Sequence, residues 1–289
     1  MSDLVTLVTE RAAAHPGRLF ARYLVTGESE GLVRELSYGE LEARSRAIAA
    51  ELLERGCQAE PVVLLFPPGL EFLSAFLGCA YAGAIAVPLA PPNPKRLPRT
   101  LPRIEAVVGD ARARFVLTSS ELAPVQGRAA ELAPGLAAAT WIVSQDLDPA
   151  RGEAYSRPVS VGQGLCHLQY TSGSTGAPKG VRISHANVLH NLELIKQAVG
   201  QGTGEEAHEV SWLPGYHDMG LIGGLLQPLY HGASLTLMAP VAFLRRPLRW
   251  LEAISRYRGT VSGAPDFAYA LVAKKASDEE VAALDLSSW

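Results

Sequence analysis

The chain has 289 residues, 48% of them hydrophobic and 19% charged, which excludes a disordered polypeptide and allows a sizeable core. A formal net charge of −3 at pH 7 excludes the basic field that nucleic-acid binding needs, so no nucleic-acid partner is expected. Three widely spaced cysteines, Cys57, Cys79 and Cys166, suit neither a disulfide framework nor a zinc motif, and reduced thiols in a cytoplasmic protein are expected.

The N-terminus carries Asp3 and Glu10 and does not read as a signal peptide. Apolar spacing predicts a first helix over residues 4–15, stopped by Pro16-Gly17. Residues 19–25 and 32–36 read as a hairpin. Ser37 with Glu40 forms a capping box for a helix that runs to about Arg55. Residues 62–66 read as a strand covered on both faces. Phe72 to Pro94 carries no charge and is long enough to span a membrane, but Gly78, Gly83 and four prolines break it. It reads instead as a helix over 70–82 and a strand over 84–89, and no membrane span is expected.

Residues 91–102 read as a basic loop with Lys95, Arg96 and Arg99. A helix to about Ala111 follows, then a strand over 115–118, a helix over 120–132 and a strand over 141–144. This alternation predicts an α/β fold of mainly parallel sheets flanked by helices. Residues 146–163 read as a linker. Farther on come a helix from Ser184 to about Val199, a polar loop over 201–209 and a strand over 210–213. Helices over 221–230, 247–256 and 265–274 alternate with strands over 234–238 and 260–262, and Ser277 with Glu280 forms a further capping box.

Two stretches carry chemistry. Between the strands over 165–170 and 180–184 lies Thr171-Ser-Gly-Ser-Thr-Gly-Ala-Pro-Lys179. Backbone N–H groups at small residues can curl into a nest for an anion, and Gly173 and Gly176 admit a phosphate close to the backbone. The hydroxyls of Thr171, Ser172, Ser174 and Thr175 add donors, and Lys179 adds a mobile positive charge. The spacing is not that of a Walker A loop, because Pro178 and Gly180 flank the lysine and a strand follows. The second stretch, Ser211-Trp-Leu-Pro-Gly-Tyr-His-Asp-Met-Gly-Leu221, ends a strand in His217 and Asp218, where parallel sheets bind ligands. His217 can donate to a developing anionic oxygen or be an ordinary loop histidine. Asp218 can cap the next helix or orient His217.

Together these stretches resemble the adenylate-forming superfamily. The finer likeness is to the fatty acyl-AMP ligases, through His217-Asp-Met-Gly-Leu, Leu226-Gln-Pro-Leu-Tyr230, Pro240-Val-Ala-Phe-Leu-Arg-Arg-Pro-Leu-Arg-Trp-Leu251 and Val261-Ser-Gly-Ala-Pro-Asp-Phe-Ala-Tyr269. The resemblance implies attack of a fatty carboxylate on the α-phosphate of ATP, with Mg2+, and release of pyrophosphate. The acyl group then passes to the phosphopantetheine arm of an acyl carrier protein. It assigns phosphate binding to Thr171, Ser172, Gly173, Ser174, Thr175, Gly176 and Lys179, and catalysis to His217. Ser262, Gly263, Ala264, Pro265, Phe267 and Tyr269 are assigned to the acyl pocket, and no residue is assigned to a metal.

Gly215 departs from the proline that the resemblance leads one to expect. Residues 1–289 are expected to be an incomplete N-terminal domain, in parts of about 1–160 and 161–289, without the C-terminal lysine-bearing domain. The chain alone is expected to adenylate poorly. An acyl-CoA ligase and a non-catalytic nucleotide- or acyl-binding module stay open. A Ser-His-Asp hydrolase is disfavoured, because no G-x-S-x-G elbow is present.

Overall fold

The structure, a computed structural model, describes residues 3–158, 164–171, 178–199, 204 and 206–289. Its strands in chain order are β1 (Leu19–Leu24), β2 (Val33–Ser37), β3 (Pro61–Leu65), β4 (Ile85–Leu89), β5 (Phe115–Thr118), β6 (Thr140–Val143), β7 (Leu165–Thr171), β8 (Lys179–Ser184), β9 (His208–Ser211) and β10 (Ser234–Met238). They form two sheets, and the chain divides into two compact units with one sheet in each.

The first unit comprises Met1–Glu10, Glu40–Pro67 and Glu71–Leu189. Its sheet has the order β6-β5-β3-β4-β7-β8, parallel except for the β7–β8 pair. Burial explains the strand composition: β5 is buried along its whole length, and β3 from Val62 on, as apolar runs covered on both faces must be. The first part of the uncharged run lies in helix Glu71–Ala82, buried from Phe72 onward, and Gly83 ends it at φ +69°. Among the described residues no helix is long and apolar enough to cross a membrane.

Two expectations for this unit are corrected. The basic stretch is not all loop: helix Leu97–Ala111 begins within it, because Pro98 suits a first helical turn and Leu97, Leu101, Ile104 and Val108 pack inward. The helix expected over 120–132 is instead two short ones, Val125–Ala129 and Pro134–Ala138, with Pro134 opening the second.

The second unit comprises Arg11–Gly39, Pro68–Leu70 and His190–Trp289, and its sheet has the order β2-β1-β10-β9. Only the β1–β2 hairpin is antiparallel. On the far side of β9, where a strand over 260–262 was expected, the described residues form one isolated parallel bridge, Glu209 to Val261. One face of this sheet meets an aromatic core in which Trp212 stacks on Phe243, with centroids 4.0 Å apart, and Trp250 is fully buried.

A further correction bears on the site. His208 and Glu209, expected in a polar loop, lie in the buried strand β9. The His208 ring is satisfied there: Nδ1 lies 2.6 Å from Ser234 Oγ and Nε2 lies 2.8 Å from Thr236 Oγ1, both on β10. The helix expected over 221–230 becomes a wide π-type turn, Met219–Leu226, followed by α-helix Gln227–His231.

Candidate active site

In the first unit, β7 and β8 run antiparallel in a register that pairs Thr171 with Lys179. Both side chains are exposed, which suits a hydroxyl and an ammonium that meet a solvated anion. Ser172, Gly173, Ser174, Thr175 and Gly176 lie outside the described residues.

The base of this hairpin is anchored by a residue that sequence reasoning did not assign. Tyr170 pairs with Gly180, and its hydroxyl donates to Asp110 Oδ2 at 2.5 Å. A Cβ at Gly180 would meet the Tyr170 ring at 2.9 Å, so a glycine opposite the ring lets it lie flat across the strand pair. Burial, then the bond to Asp110, pushes the Tyr170 pKa up, and the phenol stays a donor. Beyond the hairpin, Ser184 Oγ accepts from Asn187 N at 3.1 Å and caps helix His185–Val199, as expected.

The second unit carries His217. A turn over residues 214–217 is closed by His217 N donating to the Pro214 carbonyl at 3.0 Å. His217 Nδ1 lies 2.6 Å from Asp218 Oδ1, and the same oxygen accepts from Met219 N at 2.7 Å. Asp218 therefore performs both roles weighed from the sequence, capping the wide helix and orienting the imidazole. With Nδ1 donating to the carboxylate, Nε2 points the ring's second function outward, and an imidazolium would donate from it to an anionic oxygen. Both side chains are well exposed, which suits groups that meet a ligand.

Against the wide helix lies a cavity of about 310 Å³, within the size range of small-molecule sites. Among the described residues its apolar wall includes Ile195, Val199, Leu213, Met219, Ala233 and Val261. Gly224 faces β9, where a Cβ would meet Ser211 Oγ at 2.9 Å, so the helix approaches the sheet closely. Of the six residues assigned to an acyl pocket, Gly263 is on this wall. Phe267 sets its ring edge-on to Trp212 at 6.0 Å, and Tyr269 packs on Trp250 at 5.3 Å. Ala264 joins the same core, and Pro265 precedes helix Asp266–Lys275.

Ser262 has its hydroxyl engaged already: it donates to the Val210 carbonyl and accepts from Trp250 Nε1 at 2.7 Å. Ser262→Ala is expected to lower stability by about 2 kcal/mol, because it orphans a buried indole N–H. Urea unfolding followed by circular dichroism measures this, and an unchanged midpoint would refute the structural role.

Glu209, Gln227 and His231 also line the cavity. Sequence reasoning missed all three. Gln227 and His231 lie one turn apart on a short helix, a spacing that nothing local distinguishes from a solvated face.

The fold and these features together define an adenylate-forming domain: parallel sheets, a small-residue hairpin leaving the sheet at a lysine, and a histidine opening a wide helix over an apolar cavity. The chain belongs to the AMP-binding enzyme family, which matches residues 8–289. It is 43% identical, over its whole length, to the medium-chain fatty acid–acyl-carrier-protein ligase JamA of Moorena producens, covering 48% of that protein. It is 37% identical over 94% of its length to the long-chain-fatty-acid–AMP ligase FadD23 of Mycobacterium tuberculosis, covering 47% of it. The fold superposes on the crystal structure of fatty acyl-adenylate ligase from L. pneumophila in complex with acyl adenylate and pyrophosphate. The TM-score is 0.88 at 36% identity, covering all of this chain and 49% of that one. The chain spans about half the length of the curated relatives it matches.

Proposed function

We propose that this chain supplies the nucleotide-gripping and acyl-binding part of a fatty acyl-AMP ligase. In this reading a fatty carboxylate attacks the α-phosphate of ATP, the acyl-phosphate bond forms, and the bond to pyrophosphate breaks. The acyl group then moves to the phosphopantetheine thiol of an acyl carrier protein, releasing AMP. The observation that carries the reading is the cavity: an apolar chamber whose wall includes Met219, two residues beyond His217. Burying each CH₂ of a chain there contributes about 0.8 kcal/mol. A carboxylate at the mouth would present its oxygen to His217 Nε2. The hairpin from Thr171 to Lys179 would hold the departing β and γ phosphates, with Ser172, Gly173, Ser174, Thr175 and Gly176 supplying donors.

Magnesium fits as an ion carried in by the triphosphate, since Mg2+ is commonly held through substrate phosphates and water. Among the described residues no group of three or more His, Cys, Asp or Glu side chains is placed to hold a metal by itself. The three cysteines are buried, and burial raises the pKa of each, Cys57 to about 12, which suits inert thiols in the cytoplasm.

Calorimetric titration of this chain with Mg-ATP tests the reading. Lys179→Ala is expected to weaken binding by roughly ten- to a hundredfold, the worth of a charge-assisted phosphate contact. Equal affinity in the wild type and the variant would remove the hairpin from nucleotide binding.

A further inference from the structure

The cavity is not uniformly apolar. Alternation along β9 sends Val210 into the aromatic core and puts Glu209 and Ser211 on the opposite face, toward the wide helix. Glu209 is 8% exposed and lines the cavity. Its position is fixed by neighbours on both sides, Leu235 of β10 and Val261. Among the described residues its carboxyl has neither a hydrogen bond nor an ion pair.

Two more buried polar groups line the same space, Gln227 and His231, each 8% exposed. Gln227 Nε2 donates to the Leu192 carbonyl at 3.1 Å and lies 2.6 Å from His231 Nε2. That use of its nitrogen fixes the amide orientation, and Gln227 Oε1 is left without a partner among the described residues.

Buried polar groups are nearly always matched, and each unmatched one costs free energy. Water can match them while the cavity is wet. A plain hydrocarbon chain entering the cavity would displace that water and offer nothing in return. A chain bearing a hydroxyl offers both a donor and an acceptor. An ammonium group suits the site poorly, because shedding its hydration among aliphatic walls costs far more than for a hydroxyl. Burial alone pushes the Glu209 pKa well above the usual carboxylate range, which favours the protonated carboxyl, a group that both donates and accepts.

We propose that Glu209 selects a carboxylic acid whose chain carries a hydroxyl inside the cavity, over the unsubstituted acid of the same length. This rests on the acid-activating reading above and adds a substrate class to it.

The test is calorimetric titration of this chain with octanoic acid and with its terminal-hydroxyl and penultimate-hydroxyl derivatives. At least one hydroxy acid is expected to bind about five- to tenfold more tightly than octanoic acid, the net worth of a well-placed hydrogen bond. Glu209→Leu is expected to abolish that preference and tighten octanoic acid, while Glu209→Gln retains part of it. If octanoic acid binds the wild type as tightly as both derivatives, the selection by Glu209 is overturned and the acid-binding reading survives. If no acid binds under conditions where Mg-ATP does, the acid-binding reading falls as well. The wild-type comparison stands even where a variant fails to fold.

Discussion

Gly220→Ala is expected to destabilise the protein by about 3 kcal/mol or more and to abolish whatever ligand chemistry depends on His217. A Cβ at this position would lie 2.2 Å from the Pro214 carbonyl oxygen and 2.8 Å from its carbon. Those are backbone atoms, so no side-chain rotation relieves the clash. The same carbonyl accepts the His217 amide, so pushing it aside moves the imidazole and its contact with Asp218. Gly223→Ala is the matched control on the same wide helix, where an added Cβ meets nothing within 4 Å. It is expected to change stability by less than about 1 kcal/mol, the scale of helix propensity. Denaturant midpoints for the two variants decide the matter, and equal midpoints would show that the close approach carries no weight.

Acidification from pH 6.5 to 4.5 is expected to lower stability by several kcal/mol at most, through two buried histidines. Burial is the main cause that lowers His167 to about 4, with His185 adding, and that lowers His208 to about 4, with Arg22 adding. Both histidines are therefore neutral in the fold, and between their unfolded value of 6.5 and about 4 only the unfolded chain takes up their protons. Their contribution is complete above pH 6.5 and is lost as the pH falls through that window.

Glu209 works the other way. Burial raises its pKa, so above 4.5 the unfolded chain releases a proton that the folded chain keeps, and stability declines as the pH rises. From pH 6.5 to 4.5 the two histidines and Glu209 act in opposite directions. The two histidine protons alone, at about 1.4 kcal/mol each per pH unit, would remove at most about 6 kcal/mol over the window, and Glu209 offsets part of that. Above pH 6.5 the two histidines no longer contribute, and any further change from these three groups is a decline due to Glu209. Glu209→Gln should steepen the acid slope and lessen any alkaline decline. Urea unfolding at a series of pH values measures both, and a flat profile in the wild type would refute the assignment.

Much of the architecture is legible locally. The apolar runs of β3 and β5, the stop at Gly83 and the strands β7 and β8, whose inner ends each reach one residue beyond the expected Tyr170 and Gly180, follow from short-range pattern. The capping box of Ser277 and Glu280 is present with both of its hydrogen bonds. Such features were readable because their causes lie within a few residues: side-chain period, a glycine at positive φ, a hydroxyl three residues from its acceptor.

The cavity wall was decided at long range. His208 and Glu209 look like loop residues because they are polar. Ser234 and Thr236 turn His208 into a buried strand residue, and no window around His208 contains them. Ser262 was assigned to the acyl pocket from its segment, and only the fold shows that its hydroxyl is engaged by Trp250 and by the carbonyl of Val210, 52 residues away. The sequence by itself determined the alternating sheets, the hydroxyl- and glycine-rich hairpin and the His217–Asp218 pair. Only the tertiary structure decided which polar groups are sealed in and which are spent on packing, because burial and hydrogen-bond satisfaction belong to pairs of segments that meet in space.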